Sequence, residues 1–308
     1  MELRHLRYFV AVAQERNFTR AAERLHIAQP PLSRQIQQLE EELGLQLFER
    51  DSRPLKTTDA GQLFLEQATQ VLERVDSVRM MMQRLKESGR PRFVIGFAPS
   101  TIYAALPNLI RRFRAEAPDV ELSLVEMVSF EQIAALKEGR IDVGFGRIRR
   151  EDPGVRRDVL RNEPLVVALP LSHHLVSHEG SLALSLASLA PEPLVIYPRE
   201  PRPSYADQVI SLFHDRGLTP NIVHEARELQ TAIGLVAAEV GYAIIPESVA
   251  RLRRDDIVYR ELDEAGATSP IIMSRRVGDH SAVLALMSHV IIETYTEWGL
   301  PAPAGLES

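Results

Sequence analysis

The 308-residue chain contains no cysteine. That absence removes disulfides, thiol nucleophiles and thiolate metal sites together. No segment approaches the roughly 18 consecutive apolar residues of a membrane-spanning helix, and the opening MELRHLRYFV lacks the basic-then-apolar layout of a secretory signal. The expectation is a soluble, cytoplasmic protein without a membrane partner. Basic excess is missing too: the formal net charge is −6, which argues against an indiscriminate nucleic-acid binder. There is no G-x-S-x-G elbow, no Walker lysine loop and no G-x-G-x-x-G after a strand, and GFGR, ending at Arg147, reads as a strand end. His173, His174 and His178 in LSHHLVSH have no H-E-x-x-H-type helix around them, so a solvated loop is favoured over a metal site. Nothing places two carboxylates together for acid–base work. An enzyme, a metal and a cofactor are therefore not expected.

What is present begins at Thr19. Ala21, Leu25, Leu32, Ile36 and Leu39 recur at three- and four-residue steps, interrupted once around Ile27 and Ala28, which suits two short helices meeting at an angle. Thr19 can cap the first, and Pro30 and Pro31 belong in the first turn of the second, which therefore starts at about Gln29. Gln29, Ser33 and Arg34 then share an exposed side at the N-terminal end, where recognition helices carry the groups that read base edges. The periodicity alone fits equally well a helical hairpin inside a larger core. Before it, residues 3–15 read as a helix with Leu3, Leu6, Phe9, Val10 and Ala13 on one face. After it, Leu47 to Thr58 read as a small hairpin with Arg53 at its tip, placed for a minor groove or phosphates, or simply solvated. Arg4, Arg34, Arg50 and Lys56 are further phosphate candidates. Residues 1–60 hold nine Lys/Arg and nine Asp/Glu, so this segment is neutral and the whole negative balance lies beyond it.

From Thr58 a long helix is expected, with Asp59 favourable to its dipole. Phe64, Ala68, Val71, Val75, Val78, Met82 and Leu85 alternate by four and three, the pattern of a two-chain seam, and the flanking positions are rich in Glu, Arg and Gln. The segment Glu87 to Pro91 breaks the helix. Beyond it the pattern becomes α/β: strands at Phe93–Ala98, Glu121–Met127 and Ile141–Phe145 with helices at Tyr103–Ala115 and Ser129–Glu138 between them. A second set has strands near Leu165–Leu169, Leu194–Tyr197 and Tyr242–Ile245 and helices near Ser204–Asp215 and Arg227–Ala238. An extended segment Pro270–Ser274 and a helix Ser281–Trp298 follow, and the Pro-, Ala- and Gly-rich tail from Leu300 is expected to be disordered.

Ligands of open α/β sheets bind outside the carboxyl ends of the strands. Three such ends run into helix starts with a hydroxyl at the junction: Pro99, Ser100 and Thr101; Ser129, with Gln132 completing a capping box; and Pro203, Ser204 and Tyr205, with Asp207 as the cap's partner. Helix N-termini suit anions, and Arg147 adds a positive charge on the same rim. Each serine by itself is accounted for by ordinary capping; together they describe a cleft for a small carboxylate.

The run Ala21, Ala22, Leu25, Gln29, Pro30, Ser33, Ile36, Leu39, Glu40, Leu43, Gly44, Leu47, Phe48 and Arg50 resembles the N-terminal signature of LysR-type transcriptional regulators. Through MELRHLRYFVAV, SRPLKTT, ALKEGRIDVGFGR, VIYP and GLVAAEVG the whole chain is similar to the muconate-responsive members that govern benzoate and catechol catabolism. The resemblance implies an α + α/β chain: a winged helix-turn-helix over residues 1–58, a dimerising linker helix over 59–89, and a periplasmic-binding-protein-like effector domain over 90–308. It places lobe I at about 90–163 and 269–300 and lobe II at about 164–268, with two crossovers. It implies double-stranded promoter DNA as partner through Gln29, Pro30, Pro31, Ser33, Arg34 and Arg53. Ala98, Pro99, Ser100, Ser129, Arg147, Pro203, Ser204 and Tyr205 would hold cis,cis-muconate or another small dicarboxylate or aromatic acid, and Arg161 and Tyr295 match a second, benzoate-binding pocket. A homodimer assembling to a homotetramer, and contact with RNA polymerase, are implied as well. Where relatives tend to have Gly, Thr, Asn and Phe, this chain has Pro99, Ser129, Ser204 and Tyr205; the hydroxyls persist, the exact effector is left open. A periplasmic solute-binding protein is opposed by the first 90 residues.

Overall fold

The structure is a computed structural model, and it describes residues 1–49, 52, 54–176, 183–198 and 200–306. Chain contacts form two compact units, one built on Met1–Gly89 and the other on Arg90–Leu136 with Arg140–Ser308.

In the first unit, α1 (Leu3–Glu15) buries Leu6, Phe9, Val12 and Ala13, while Leu3, expected on that face, stays exposed in the first turn. Helix α2 (Phe18–Arg24) is capped by Asn17, whose Oδ1 accepts from the N–H groups of Thr19 at 2.8 Å and Arg20 at 3.1 Å. The cap is thus not Thr19, which is already inside the helix; the extended backbone at Asn17 is what lets a short amide side chain reach back. Helix α3 (Gln29–Leu43) carries its two prolines in the first turn and stops at Gly44, whose φ of +68° is the left-handed value a glycine takes without strain. Leu32, Ile36 and Leu39 pack under it with Phe9, Val12 and Ala21. The buried Glu40 carboxylate accepts from the N–H groups of Leu47 at 2.7 Å and Phe48 at 3.3 Å. This ties α3 to the antiparallel pair β1 (Phe48–Glu49) and β2 (Lys56–Thr57). Arg50 and Arg53 lie outside the described residues. The Thr58 hydroxyl accepts from the Gly61 N–H at 3.0 Å at the start of α4 (Asp59–Ser88). Phe64 stacks edge-on against Phe9, after which the apolar seam emerges: Val71, Val78 and Met82 are exposed.

The second unit begins with β3 (Arg92–Phe97), a single-turn 3-10 segment Pro99–Tyr103, α5 (Leu106–Glu116), β4 (Glu121–Glu126), α6 (Ser129–Lys137) and β5 (Val143–Gly146). Strand β3 pairs in parallel with both β4 and β5, the arrangement that helical crossovers impose. Strand β6 (Val155–Pro170) is longer than the apolar stretch near Leu165–Leu169 suggested, because its first half is rich in charged residues. β7 (Ala183–Leu184), α7 (Leu186–Leu189), β8 (Pro193–Ile196), α8 (Tyr205–His214), β9 (Asn221–Glu225), α9 (Leu229–Ala237), β10 (Ala243–Pro246), β11 (Ile257–Leu262), β12 (Thr268–Arg276) and α10 (Ala282–Glu297) complete the chain.

One sheet runs β4-β3-β5-β12-β6-β11-β7, with β10 also on β6, and β8 and β9 form a separate parallel pair. Residues 155–164 of β6 pair with β12, whereas 165–170 pair with β10 and β11, so this one strand passes from one lobe into the other. The lobes have separate cores: Phe93, Phe113, Phe145 and Met287 in lobe I, and Val167, Leu194, Phe213 and Tyr242 in lobe II. The tail is not disordered up to Leu306. Leu306 is buried in the lobe I core, and the Gly305 carbonyl accepts from Arg156 at 2.8 Å and Arg275 at 3.2 Å, both of which pair with Asp158. No described helix is long and apolar enough to cross a membrane.

Candidate functional site

The first turn and a half of α3 presents Gln29, Pro30, Pro31 and Arg34 to solvent, with Ser33 half-buried. Arg34 makes no hydrogen bond or ion pair among the described residues, and that leaves its five donors available. Lys56 on β2 is also exposed, and Arg4 pairs with Glu2.

Between the lobes lies a cavity of about 240 Å³. Ala98, Pro99, Ser100, Ser129, Pro203, Ser204 and Tyr205 all line it. They arrive there from the ends of β3 and β4 in one lobe and the segment after β8 in the other. Ser204 serves its own helix: its N–H donates to Asp207 Oδ2 at 2.8 Å and its hydroxyl to the same oxygen at 3.2 Å, closing the capping box. Ser129 does something else. It is the first residue of α6 rather than its cap, and its Oγ accepts the backbone N–H of Arg147 at 3.1 Å; Gln132 donates to the carbonyls of Met127 and Phe145 instead of completing a box. The reason is tertiary: β5 runs so close under α6 that a Cβ on Gly146 would land on the Ser129 hydroxyl.

Arg147 is not on the rim. Its side chain turns under the cleft floor, where Nε donates to Ser100 Oγ at 2.9 Å and Nη2 to Glu163 Oε2 at 2.6 Å, both side chains of the ion pair being inaccessible to solvent. The charge sequence reasoning placed at the ligand is thus largely met by Glu163, but Arg147 Nη1 is buried without a partner. Glu163 Oε1 accepts the Ser248 N–H of lobe II at 2.7 Å. Burial pushes the Glu163 carboxyl up, yet the Arg147 charge and these hydrogen bonds outweigh it and hold it below the usual carboxylate range. A second link crosses the cleft where Gln230 of α9 donates to the Tyr103 hydroxyl.

Several cavity residues had no local signature. Tyr197, at the end of VIYP, is 4% exposed and stacks on Tyr205 at 5.0 Å. Its hydroxyl is buried beside Tyr205, and burial pushes its phenol up, so the ring lines the cavity while the hydroxyl stays neutral and enclosed. Phe130, Ile148 and Leu229 supply apolar wall, and Arg227 lines the cavity from lobe II. A strand end followed by an aromatic was the only available signal for Tyr197.

Arg161 and Tyr295 do not line this cavity. They flank the same buried pair: Arg161 Nη2 lies 3.5 Å from Glu163 Oε1, its Nε is buried and unpartnered, and the Tyr295 hydroxyl is likewise unpartnered. Burial pushes the Tyr295 phenol up to about 12 against the opposing Arg161 charge. The histidine stretch is not a simple solvated loop. His173 and His174 stack at 4.7 Å, each with Nε2 3.5 Å from a Glu192 carboxylate oxygen; His178 lies outside the described residues. These three ligand-type groups are close enough for a cation. However, the Leu175 N–H donates to His173 Nδ1 at 3.3 Å, which keeps the ring proton on Nε2 and turns an N–H, not a lone pair, toward the carboxylate.

Residues 3–62 match the bacterial regulatory helix-turn-helix proteins of the lysR family, and residues 86–294 match the LysR substrate binding domain. The chain is 50% identical over 297 residues to a probable cat1 operon transcriptional activator of Acinetobacter lwoffii, covering 96% of this chain and 97% of that one. It is 51% identical over 284 residues to the regulator CatR of Pseudomonas putida, covering 92% and 96%. Full-length BenM, a regulator of Acinetobacter baylyi, has a similar structure at a TM-score of 0.65 and 42% identity, covering 99% of this chain and 100% of that chain. The BenM effector binding domain with its effector benzoate aligns at a TM-score of 0.64 and 35% identity, over 69% of this chain and 96% of that one.

Proposed function

The chain belongs to the LysR family of bacterial transcriptional regulators, and on that premise we propose that it activates catechol or benzoate degradation genes in response to cis,cis-muconate bound in the interlobe cleft. The observation that carries this is the convergence of Ser100, Ser129 and Tyr197 on one small cavity, with the Arg147 guanidinium hydrogen-bonded to the Ser100 hydroxyl. Hydroxyl donors suit a carboxylate, and the apolar walls suit an unsaturated chain. Gln29, Pro30, Pro31, Ser33 and Arg34, with Arg53, meet promoter DNA. The exposed seam of α4 pairs two chains, and the pairs assemble to a tetramer that engages RNA polymerase in the cytoplasm, without a cofactor. Muconate shifts the regulator only by binding one arrangement of the lobes more tightly than the other.

Calorimetric titration of the full chain with cis,cis-muconate, with benzoate, succinate and chloromuconates as comparators, tests the effector. Binding of muconate no tighter than succinate would refute it. For DNA, Arg34→Ala should cost roughly 1 to 3 kcal/mol on the specific site and relax selectivity there; equal weakening on all sequences would reduce Arg34 to a phosphate contact. A second reading, benzoate as an additional effector, is favoured by the orphaned Arg161 Nε and Tyr295 hydroxyl beside Glu163.

A further inference from the structure

We propose that Arg227 makes the cleft selective for an acid with two carboxylates, by clamping the end of the effector that the serines do not hold. This rests on the cavity being the effector site. Arg227 carries the one positive charge among the described residues that line it. Glu126, Glu131 and Glu228 line the same cavity, yet Arg227 is exposed and pairs with none of them. An arginine kept free among three carboxylates is available to an incoming anion, and its planar fork matches a carboxylate with two parallel hydrogen bonds.

Its place in the chain has no structural explanation. Arg227 immediately precedes Glu228, the cap of α9, and a cation at a helix N-terminus opposes the dipole. Residues that break a local rule without a compensating contact mark function. Next to the cavity there is an independent unmet donor: Arg147, 2% exposed and bonded through Nε to the Ser100 hydroxyl, keeps Nη1 buried without a partner. The two ends of the site therefore differ in chemistry. One carboxylate meets neutral hydroxyls at Ser100 and Ser129. A second one meets Glu126, Glu131 and Glu228 on the lining, where Arg227 is the one described residue of opposite charge. A monocarboxylate has no use for Arg227; a dicarboxylate depends on it.

The test compares hexa-2,4-dienedioate, the diacid muconate, with hexa-2,4-dienoate, in which a methyl replaces one carboxylate. Both are titrated calorimetrically into the full-length protein and into Arg227→Gln and Arg227→Lys. The expected result is a loss of diacid affinity of about 10- to 100-fold in the Gln variant, a smaller loss in the Lys variant, and unchanged affinity for the monoacid, which also reports that the variant is folded. Unchanged diacid affinity in Arg227→Gln, or equal losses for both acids, overturns the proposal while leaving the cleft as effector site. A wild-type protein that binds neither acid overturns the effector reading and this proposal with it.

Discussion

Ser129 in lobe I and Ser204 in lobe II are the same local motif, a serine where a strand end gives way to a helix, and they do different work. Ser204 is spent on α8 through Asp207. Ser129 has given its oxygen to the N–H of Arg147 and so joins α6 to the end of β5. A helix start thus tells that a polar group is needed, whereas the neighbouring strand decides what that group holds. Lobe I supplies a polar floor wired to Arg147 and Glu163; lobe II supplies a self-capped helix with Tyr197 and Arg227 around it.

The strongest way to break this contrast is to cut the wiring. Glu163→Gln leaves the Arg147 guanidinium buried without its counter-charge, and should cost roughly 3 to 5 kcal/mol in chemical unfolding. Because the folded state holds this carboxyl low, its contribution is complete above the unfolded value of about 4.3 and is lost as pH falls through the lower folded value. The Gln variant should lack that acid-side loss; a wild-type stability that rises on acidification would contradict the assignment. Next comes Gly146→Ala, which drives a methyl onto the Ser129 hydroxyl and should cost roughly 1 to 3 kcal/mol in thermal unfolding. An unchanged melting temperature would mean the α6–β5 approach is looser than described. The smallest effects separate the two serines themselves. Ser204→Ala should lower stability by about 1 kcal/mol as a lost cap and leave effector affinity unchanged; Ser129→Ala, which strips the Arg147 N–H of its acceptor, should lower stability by about as much and effector affinity by about 1 kcal/mol as well. If calorimetry finds the affinity loss in Ser204→Ala and not in Ser129→Ala, the contrast between the lobes fails.

The head was the more legible half. Helix α3 starting at Gln29, the hairpin after Gly44 and the long helix after Thr58 all follow from periodicity, prolines and a glycine, signals that act within a turn or two of chain. Its error was also local, since Asn17 and not Thr19 caps α2. In the cleft, the hydroxyl-bearing junctions could be found in the sequence, but Arg147 was misplaced onto the rim because its partner Glu163 lies on β6 and nothing local announces the pair. Tyr197, Phe130 and Arg227 went unnoticed for the same reason. The tail from Leu300 was misjudged by its composition, although Leu306 reaches an apolar gap in lobe I.

By itself the sequence determined, to within a few residues, where most helices lie, most of their apolar faces, and that an α/β remainder follows a helical head, because those properties depend on spacing along the backbone; that the head reads DNA came from its resemblance to LysR-type regulators. Only the tertiary structure decided which hydroxyls are free, which charge is cancelled and which arginine still has its donors to offer. Hydrogen-bond and ion-pair partners are chosen by proximity in space, and residues far apart in sequence come within 3 Å of one another only once the sheet has been assembled.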